Sequence, residues 1–204
     1  VVLPPRIRKQ GVAPEPKMTK ENKIVTLDCF IFNQERTRVK VSWTKDGFGI
    51  VDSEFYLLSN GEHSLSIMRP SSQDSGIYAC TVKNKAGMDS HSYKVTVISA
   101  PKFPFSFNRY REKMEVQAGS RVILSCPASG APDPDISWFY DQKPLDSYSG
   151  PGIIFRDSNK ELVMPSIEKD AGEYKCIATN LGGSIEKIYD LEIMMPPVVN
   201  LDKT

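Results

Sequence analysis

Several features that define other classes of protein are absent from this sequence of 204 residues. No apolar run approaches the roughly 20 residues that a membrane-spanning helix needs, so we expect no direct membrane insertion of this chain. The formal net charge is only +1. A protein whose main partner is nucleic acid usually carries a strongly basic domain or stripe. The sequence therefore predicts no nucleic-acid partner.

Motifs for catalysis and cofactor binding are also missing. Neither G-x-x-x-x-G-K-[ST] nor G-x-G-x-x-G occurs, so no nucleotide site is suggested. His63, Ser64 and Asp74 could be written as a hydrolytic triad, but neighbouring residues of a strand point to opposite faces. The four cysteines lack the close C-x₂-C spacing of a structural zinc site. We therefore predict no catalytic residue, no cofactor and no metal site, and hence no enzyme.

What the sequence does contain is an internal repeat with a period of 96 residues. The motif D-x-G-x-Y-x-C occupies residues 74–80 and recurs at residues 170–176. A turn of the form Asn-x-x-Gly follows each copy, at residues 84–87 and 180–183. Self-similarity at a fixed period indicates repeated structural units, here two similar domains.

Two further landmarks precede each motif. An alternating apolar run leads into Cys29 in the first copy and into Cys126 in the second, and a tryptophan follows 14 or 12 residues later, at Trp43 and Trp138. Alternation of apolar and polar residues predicts strands that bury one face. Two sheets packed through their apolar faces are the expected arrangement, which makes the fold all-β.

Together these residues resemble the immunoglobulin superfamily, intermediate or I-set type, over nearly all of the chain. The resemblance implies two Greek-key immunoglobulin-like β-sandwich domains in tandem. We place domain one at residues 1–99 and domain two at residues 100–197. Residues 198–204 would begin the next linker or domain, and the proline-rich segments 1–5 and 194–197 are interpreted as linkers.

The same resemblance assigns roles to the landmark residues. It implies that Cys29 bonds to Cys80 and that Cys126 bonds to Cys176, which leaves no free thiol. Each tryptophan would pack on its disulfide, and the tyrosine two residues before the second cysteine would fix a corner of the sandwich. The predicted core landmarks are Trp43, Tyr78, Trp138 and Tyr174.

A basic outward face is predicted on domain one, where strands C, F and G are neighbours in this fold. The residues assigned to it are Arg36, Arg38, Lys40, Lys83 and Lys94, with Lys85 at the margin. Such a face suits heparan sulfate or an acidic protein surface. The competing interpretation is an ordinary charged face that keeps the sheet soluble.

The equivalent face of domain two is predicted to be apolar. Alternation places Phe139 and Ile177 outward, and Ile188 as well if no bulge intervenes. An exposed apolar cluster with a charged rim is typical of a protein contact surface. Isolated exposed apolar residues are also common, so the alternative is a surface without a partner.

The junctions of the chain resemble those of long extracellular immunoglobulin arrays such as hemicentin. This resemblance implies a non-enzymatic binding or spacer module of an extracellular matrix or cell-surface adhesion protein. Its partners would be proteins, homophilic partners included. Four cysteines in bridge positions favour an oxidising, extracellular location.

Two other functions stay open at this point. Residues 132–139 are similar to domains of receptor tyrosine phosphatases, which would make the chain a ligand- or glycosaminoglycan-binding ectodomain of a cell-surface receptor. Cytosolic muscle scaffolds of the titin and twitchin kind use the same fold, and they form the third alternative.

Overall fold

A computed structural model describes residues 2–9, 11–32, 38–107, 110–146, 152–166 and 168–196. The chain divides between Ser99 and Ala100 into two compact units, here called domain one and domain two. Nearly all regular structure is strand, with three short 3₁₀ turns among the described residues, at Ser72–Asp74, Phe105–Phe107 and Glu168–Asp170.

Most strands of domain one span six residues or fewer, whereas the last two are longer. They are β1 (Arg6–Ile7), β2 (Glu15–Lys20), β3 (Val25–Asp28), β4 (Ile31–Phe32), β5 (Lys40–Lys45), β6 (Phe48–Gly49), β7 (Tyr56–Ser59), β8 (Ser64–Ile67), β9 (Gly76–Asn84) and β10 (Gly87–Lys102). The last three residues of β10 belong to domain two.

Two sheets face each other in domain one. In the front sheet, β9 pairs antiparallel with β5 and with β10, β6 extends β5, and β2 lies parallel to β10. In the back sheet, β8 pairs antiparallel with β3 and β7. A short antiparallel pair joins β1 to β4. These pairings confirm the predicted two-sheet architecture.

Domain two repeats the plan. Its strands are β11 (Arg111–Gln117), β12 (Arg121–Ser125), β13 (Ser129–Ala131), β14 (Asp135–Tyr140), β15 (Lys143–Leu145), β16 (Ile154–Arg156), β17 (Glu161–Pro165), β18 (Gly172–Asn180) and β19 (Gly183–Met194). The front sheet has the order β11-β19-β18-β14-β15, with β11 parallel to β19, and the back sheet has the order β12-β17-β16.

Each core is built around a disulfide that connects the two sheets. Cys29, just after β3, bonds to Cys80 in β9, and the Cys126–Cys176 bond does the same in domain two. Trp43 is buried in the first core, and its indole N–H donates to the Glu62 carbonyl at 2.8 Å. Trp138 is buried likewise and donates to the Asn159 carbonyl at 2.7 Å. Both indoles are thus buried without leaving a donor unpaired.

The tyrosine of the repeated motif fixes a corner in both domains. The Tyr78 hydroxyl donates to the Asp74 carbonyl at 2.8 Å, and the Tyr174 hydroxyl donates to the Asp170 carbonyl at 2.9 Å. Burial raises the pKa of both phenols, so neither ionises under physiological conditions.

The glycine of the motif is needed for a close approach as well as for the turn. A Cβ at Gly76 would lie 2.6 Å from the Asp46 carboxylate, which accepts the Ile77 N–H at 2.8 Å. At Gly172 a Cβ would lie 2.6 Å from the Tyr140 ring. A side chain at either position would displace its neighbour, so glycine is required there.

We expect Tyr78→Phe to lower the free energy of unfolding by about 0.5–1.5 kcal/mol, because the half-buried Asp74 carbonyl loses its donor. Chemical denaturation followed by tryptophan fluorescence measures this change. Tyr110→Phe in domain two is the comparison, and it should cost less, because Tyr110 is exposed and water can replace the hydrogen bond from its hydroxyl to Glu186. Equal losses in the two variants would contradict a special role for the corner.

Candidate interaction surfaces

One outward surface of domain one carries a compact group of cations, here called the basic end. Lys40 and Lys83 are direct cross-strand partners on β5 and β9. Arg38 precedes β5 and Lys85 follows β9, and all four side chains line one shallow depression. Among the described residues, no carboxylate forms an ion pair with any of them. Like charges directly opposite each other are destabilising, so the basic end is not explained by the stability of the sheet.

The structure does not bring all of the predicted basic residues together. Lys94 is exposed on the same face, but it lies opposite Ile77 on β9, whereas Lys83 lies opposite Met88. Six residues of β10 separate the two positions, about 20 Å along an extended strand. Lys94 therefore stands apart from the basic end. Arg36 lies outside the described residues.

The predicted apolar surface of domain two is only partly exposed. Phe139 and Ile177 are half-buried on the outward side of the front sheet. The prediction that Ile188 is exposed is wrong, because this residue is 7% exposed. Ile188 does face outward, but it lies in a cross-strand row between Arg111 and Lys175. The long aliphatic stems of such residues cover apolar neighbours while their charges reach water.

A network of charged groups crosses the same face. The Arg111 guanidinium donates to both carboxylate oxygens of Asp190 at 2.6 Å and to Glu173 at 2.9 Å. Its hydrogen bonds to Asp190 raise the pKa of Arg111 and lower the pKa of Asp190. Lys175 Nζ lies 3.9 Å from Glu186 and 5.6 Å from the centroid of the Phe139 ring. Exposed pairs of this kind contribute little stability, and their effect is to fix charges in position on the surface.

Sequence analysis missed a buried base–carboxylate pair beneath the front sheet of domain one. His91 on β10 is buried, and its Nε2 lies 3.2 Å from a carboxylate oxygen of Glu15 on β2. Lys17 lies 2.9 Å from the other oxygen. Hydrogen bonding to Lys17 lowers the pKa of Glu15, and His91 adds to this effect. The pair ties β2, the edge strand, to the interior of the sheet.

Domain two has an equivalent base–carboxylate pair, in which the base is a lysine. Lys187 on β19 is buried, and its Nζ lies 2.8 Å from Glu112 on β11. The ammonium also lies 4.7 Å from the Phe107 ring and 5.0 Å from the Tyr189 ring, within range of cation–π attraction. A carboxylate partner and two aromatic faces compensate for the buried charge.

A tyrosine accompanies each of these bases two residues later. Tyr93 stacks on Trp43 and donates to the Asp28 carbonyl at 2.5 Å, while Tyr189 stacks on Trp138 and donates to the Ser125 carbonyl at 2.7 Å. Burial raises the pKa of each hydroxyl to about 12. The pattern base-x-Tyr, repeated at positions 91–93 and 187–189, is the feature of the sequence that could have revealed the two base–carboxylate pairs.

Ser64 and Asp74, two residues of the hypothetical triad, form hydrogen bonds to other residues. The Ser64 hydroxyl donates to Asp28 at 2.7 Å, and the Asp74 carboxylate accepts from the backbone and hydroxyl of Ser71 at 2.8 and 2.9 Å. The described residues hold no group of three or more His, Cys, Asp or Glu arranged for a metal ion. No described helix is long and apolar enough to cross a membrane.

The two sandwiches, their disulfides and their corner tyrosines define a tandem immunoglobulin-like protein. A family model described as "Immunoglobulin I-set domain" matches residues 9–97 and 105–193. The chain belongs to this family, whose fold is generally non-catalytic. The resemblance inferred from the sequence is thereby confirmed.

Similar proteins include very long adhesion proteins. Human hemicentin-1 is 32% identical over 203 residues, which is 98% of this chain and 4% of that protein. Mouse hemicentin-2 is 32% identical over 177 residues, which is 86% of this chain and 3% of that protein. Receptor-type tyrosine-protein phosphatase F of mouse is 28% identical over 84% of this chain and 9% of its own length. The chain thus spans a small part of each relative, and it resembles a non-enzymatic, adhesion-type immunoglobulin pair.

Solved structures share the architecture. A variant of titin domains I67–I69 matches with a TM-score of 0.72 and 27% identity, covering 93% of this chain and 65% of that one. The insect immune protein hemolin matches with a TM-score of 0.61 and 25% identity, covering 92% of this chain and 47% of that one. The hemolin structure is described as having implications for homophilic adhesion.

We expect Glu15→Gln to destabilise domain one at neutral pH, and the loss to shrink on acidification. The pKa of Glu15 in the folded state lies below its ordinary value of 4.5. Its contribution is therefore present above about pH 4.5 and is lost as the pH falls through the folded-state pKa. Urea unfolding of wild type and variant from about pH 7 to about pH 3 measures the difference.

Glu54→Gln is the control for this prediction, because Glu54 is exposed and forms no ion pair among the described residues. A gap between wild type and Glu15→Gln that stays constant down to about pH 3 would contradict the assigned role of Glu15.

Proposed function

We propose that this chain is a binding and spacing module of an extracellular matrix or cell-surface adhesion protein. The observation that carries this proposal is the match of nearly the whole chain to hemicentin-1, together with a buried disulfide in each domain. Disulfides form and persist in oxidising compartments such as the extracellular space. Each sandwich is then a rigid unit that presents its outward faces to protein partners.

A second candidate is the ligand- or glycosaminoglycan-binding ectodomain of a cell-surface receptor. The specific observation in its favour is the basic end of domain one, where four cations have no carboxylate partner among the described residues. Similarity to receptor-type tyrosine-protein phosphatase F adds to it. A sulfated polysaccharide such as heparan sulfate would satisfy these charges.

A third candidate, a cytosolic muscle scaffold, is supported by the titin structures that share the fold. The two disulfides weigh against it, because cytosolic thiols are normally kept reduced.

Reduction of both disulfides should lower the stability of the secreted protein. Loss of a native disulfide from a small secreted domain costs about 2–5 kcal/mol, and Cys29→Ala with Cys80→Ala should show this loss in domain one alone. Thiol labelling of the unfolded, unreduced protein checks that no cysteine is free, and chemical denaturation gives the energies. Equal stability of the reduced and oxidised forms would instead favour the cytosolic scaffold.

Binding to heparin tests the receptor candidate. If the basic end holds sulfated polysaccharide, Arg38→Glu with Lys40→Glu should weaken binding by about tenfold or more at physiological ionic strength. Lys94→Glu is the control on the same face, and it should have a smaller effect because Lys94 lies far from the basic end. Absence of salt-sensitive heparin binding by the wild type would eliminate glycosaminoglycan binding from this candidate.

A further inference from the structure

The charged residues on the front face of domain one are lysines. Alternation along β2, β5, β9 and β10 turns four lysines outward on this face, at Lys20, Lys40, Lys83 and Lys94, and no outward residue of these strands up to Ile98 is acidic. Asp89 also lies on β10, but its side chain is directed inward and does not neutralise this face. It accepts the Ile7 N–H at 2.9 Å and pairs with Lys9.

The front face of domain two has the opposite charge. Outward residues of β11, β14, β18 and β19 include six carboxylates against three cations. The carboxylates are Asp135, Glu173, Glu186, Asp190, Glu192 and Glu115, and the cations are Arg111, Lys113 and Lys175. The internal ion pairs of this face therefore leave a net negative charge.

Charge is inverted at two equivalent positions of the repeat. Counting from the tryptophans, Lys40 corresponds to Asp135, and counting from the cysteines, Lys94 corresponds to Asp190. Lys40 and Asp135 are both exposed at the start of their strands. The inversion follows the domains as a whole, since residues 1–99 carry a net charge of +4 and residues 100–204 carry −3, by count of Lys and Arg against Asp and Glu.

The two faces also differ in the size of their uncharged side chains. The middle of the front face of domain one consists of small uncharged side chains, namely Ser42, Thr44, Ala79, Thr81, Ser90 and Ser92. The equivalent area of domain two carries the larger Phe139 and Ile177, both half-buried. Small side chains on a lysine-bearing face, with the exposed Ile77 and Met88 beside them, are thus matched by larger apolar side chains on a face whose charges are mainly carboxylates. This combination suits complementary protein surfaces.

We propose that the front face of domain one binds the front face of domain two in a second copy of this chain. This proposal rests on the adhesion function proposed above and names its partner. Contacts between two copies of the same face are disfavoured, because each would bring like charges together. One chain carries both halves of the complementary pair, so no other protein is needed to account for either face.

Sedimentation velocity over a range of protein and salt concentrations tests the proposal. We expect the wild type to self-associate at low salt and to dissociate as salt rises, because exposed charges are screened. Lys40→Glu with Lys83→Glu should weaken association at least tenfold, and so should Asp135→Lys with Glu186→Lys. Lys40 and Lys83 are cross-strand partners, so the double change replaces two facing positive charges by two facing negative charges. The fold should therefore be retained, and circular dichroism can verify this.

A mixture of the two variants tests directly whether the face of domain one binds the face of domain two. Each variant alone should associate weakly, because the first has a domain one face with two lysines and two glutamates, and the second has lost the net negative charge of its domain two face. Mixing should restore association, because the unaltered domain one of the second variant can bind the unaltered domain two of the first. Lys23→Glu and Glu62→Lys are exposed changes away from both faces and serve as controls. A mixture that stays monomeric, or reversed variants that associate like the wild type, would overturn the proposal.

Sedimentation velocity and the disulfide stability measurement together separate this proposal from the function on which it rests. A secreted, fully disulfide-bonded wild type that stays monomeric at low salt overturns binding to a second copy and leaves the adhesion function standing. A wild type that is equally stable without its disulfides contradicts the extracellular function, whatever its state of association.

Discussion

The disulfide between the two sheets, with a tryptophan packed in the same core, is the constraint on which each domain depends. It joins a strand of the back sheet to the central strand of the front sheet, at Cys29–Cys80 and at Cys126–Cys176. The disulfide sets the distance between the two sheets. The corner tyrosine and the motif glycine then have fixed neighbours, because a packed interior tolerates little displacement. The same set of contacts occurs twice, so the cores of both domains have the same arrangement.

Because the interior is fixed by few residues, the outward faces are free to differ. The front sheet of domain one turns lysines and small polar side chains to solvent, whereas the equivalent sheet of domain two turns out carboxylates, Phe139 and Ile177. Surface charge contributes little to the stability of a sheet. It does govern which surfaces approach each other, and this separation of roles suits a modular adhesion protein.

Both domains also hold a base and a glutamate below the front sheet. The base is histidine in one domain and lysine in the other, so this part of the interior accepts different residues. His91 with Glu15 and Lys187 with Glu112 occupy equivalent places, each beside a tyrosine that stacks on the core tryptophan. A buried charge is costly unless it is paired. In domain two the Lys187 ammonium also contacts the rings of Phe107 and Tyr189, whereas in domain one the His91 ring packs edge-on against Tyr93.

The sequence alone determined the all-β class, the tandem repeat and the family, because these follow from local alternation and from the spacing of cysteine, tryptophan and the D-x-G-x-Y-x-C motif. Alternation also placed Lys40, Lys83 and Phe139 on outward faces. Only the tertiary structure decided which outward residues share a surface, since that depends on register across strands. It set Lys94 apart from Lys83 and buried Ile188 between Arg111 and Lys175. The base–glutamate pairs likewise depend on a parallel edge strand whose register no local pattern encodes.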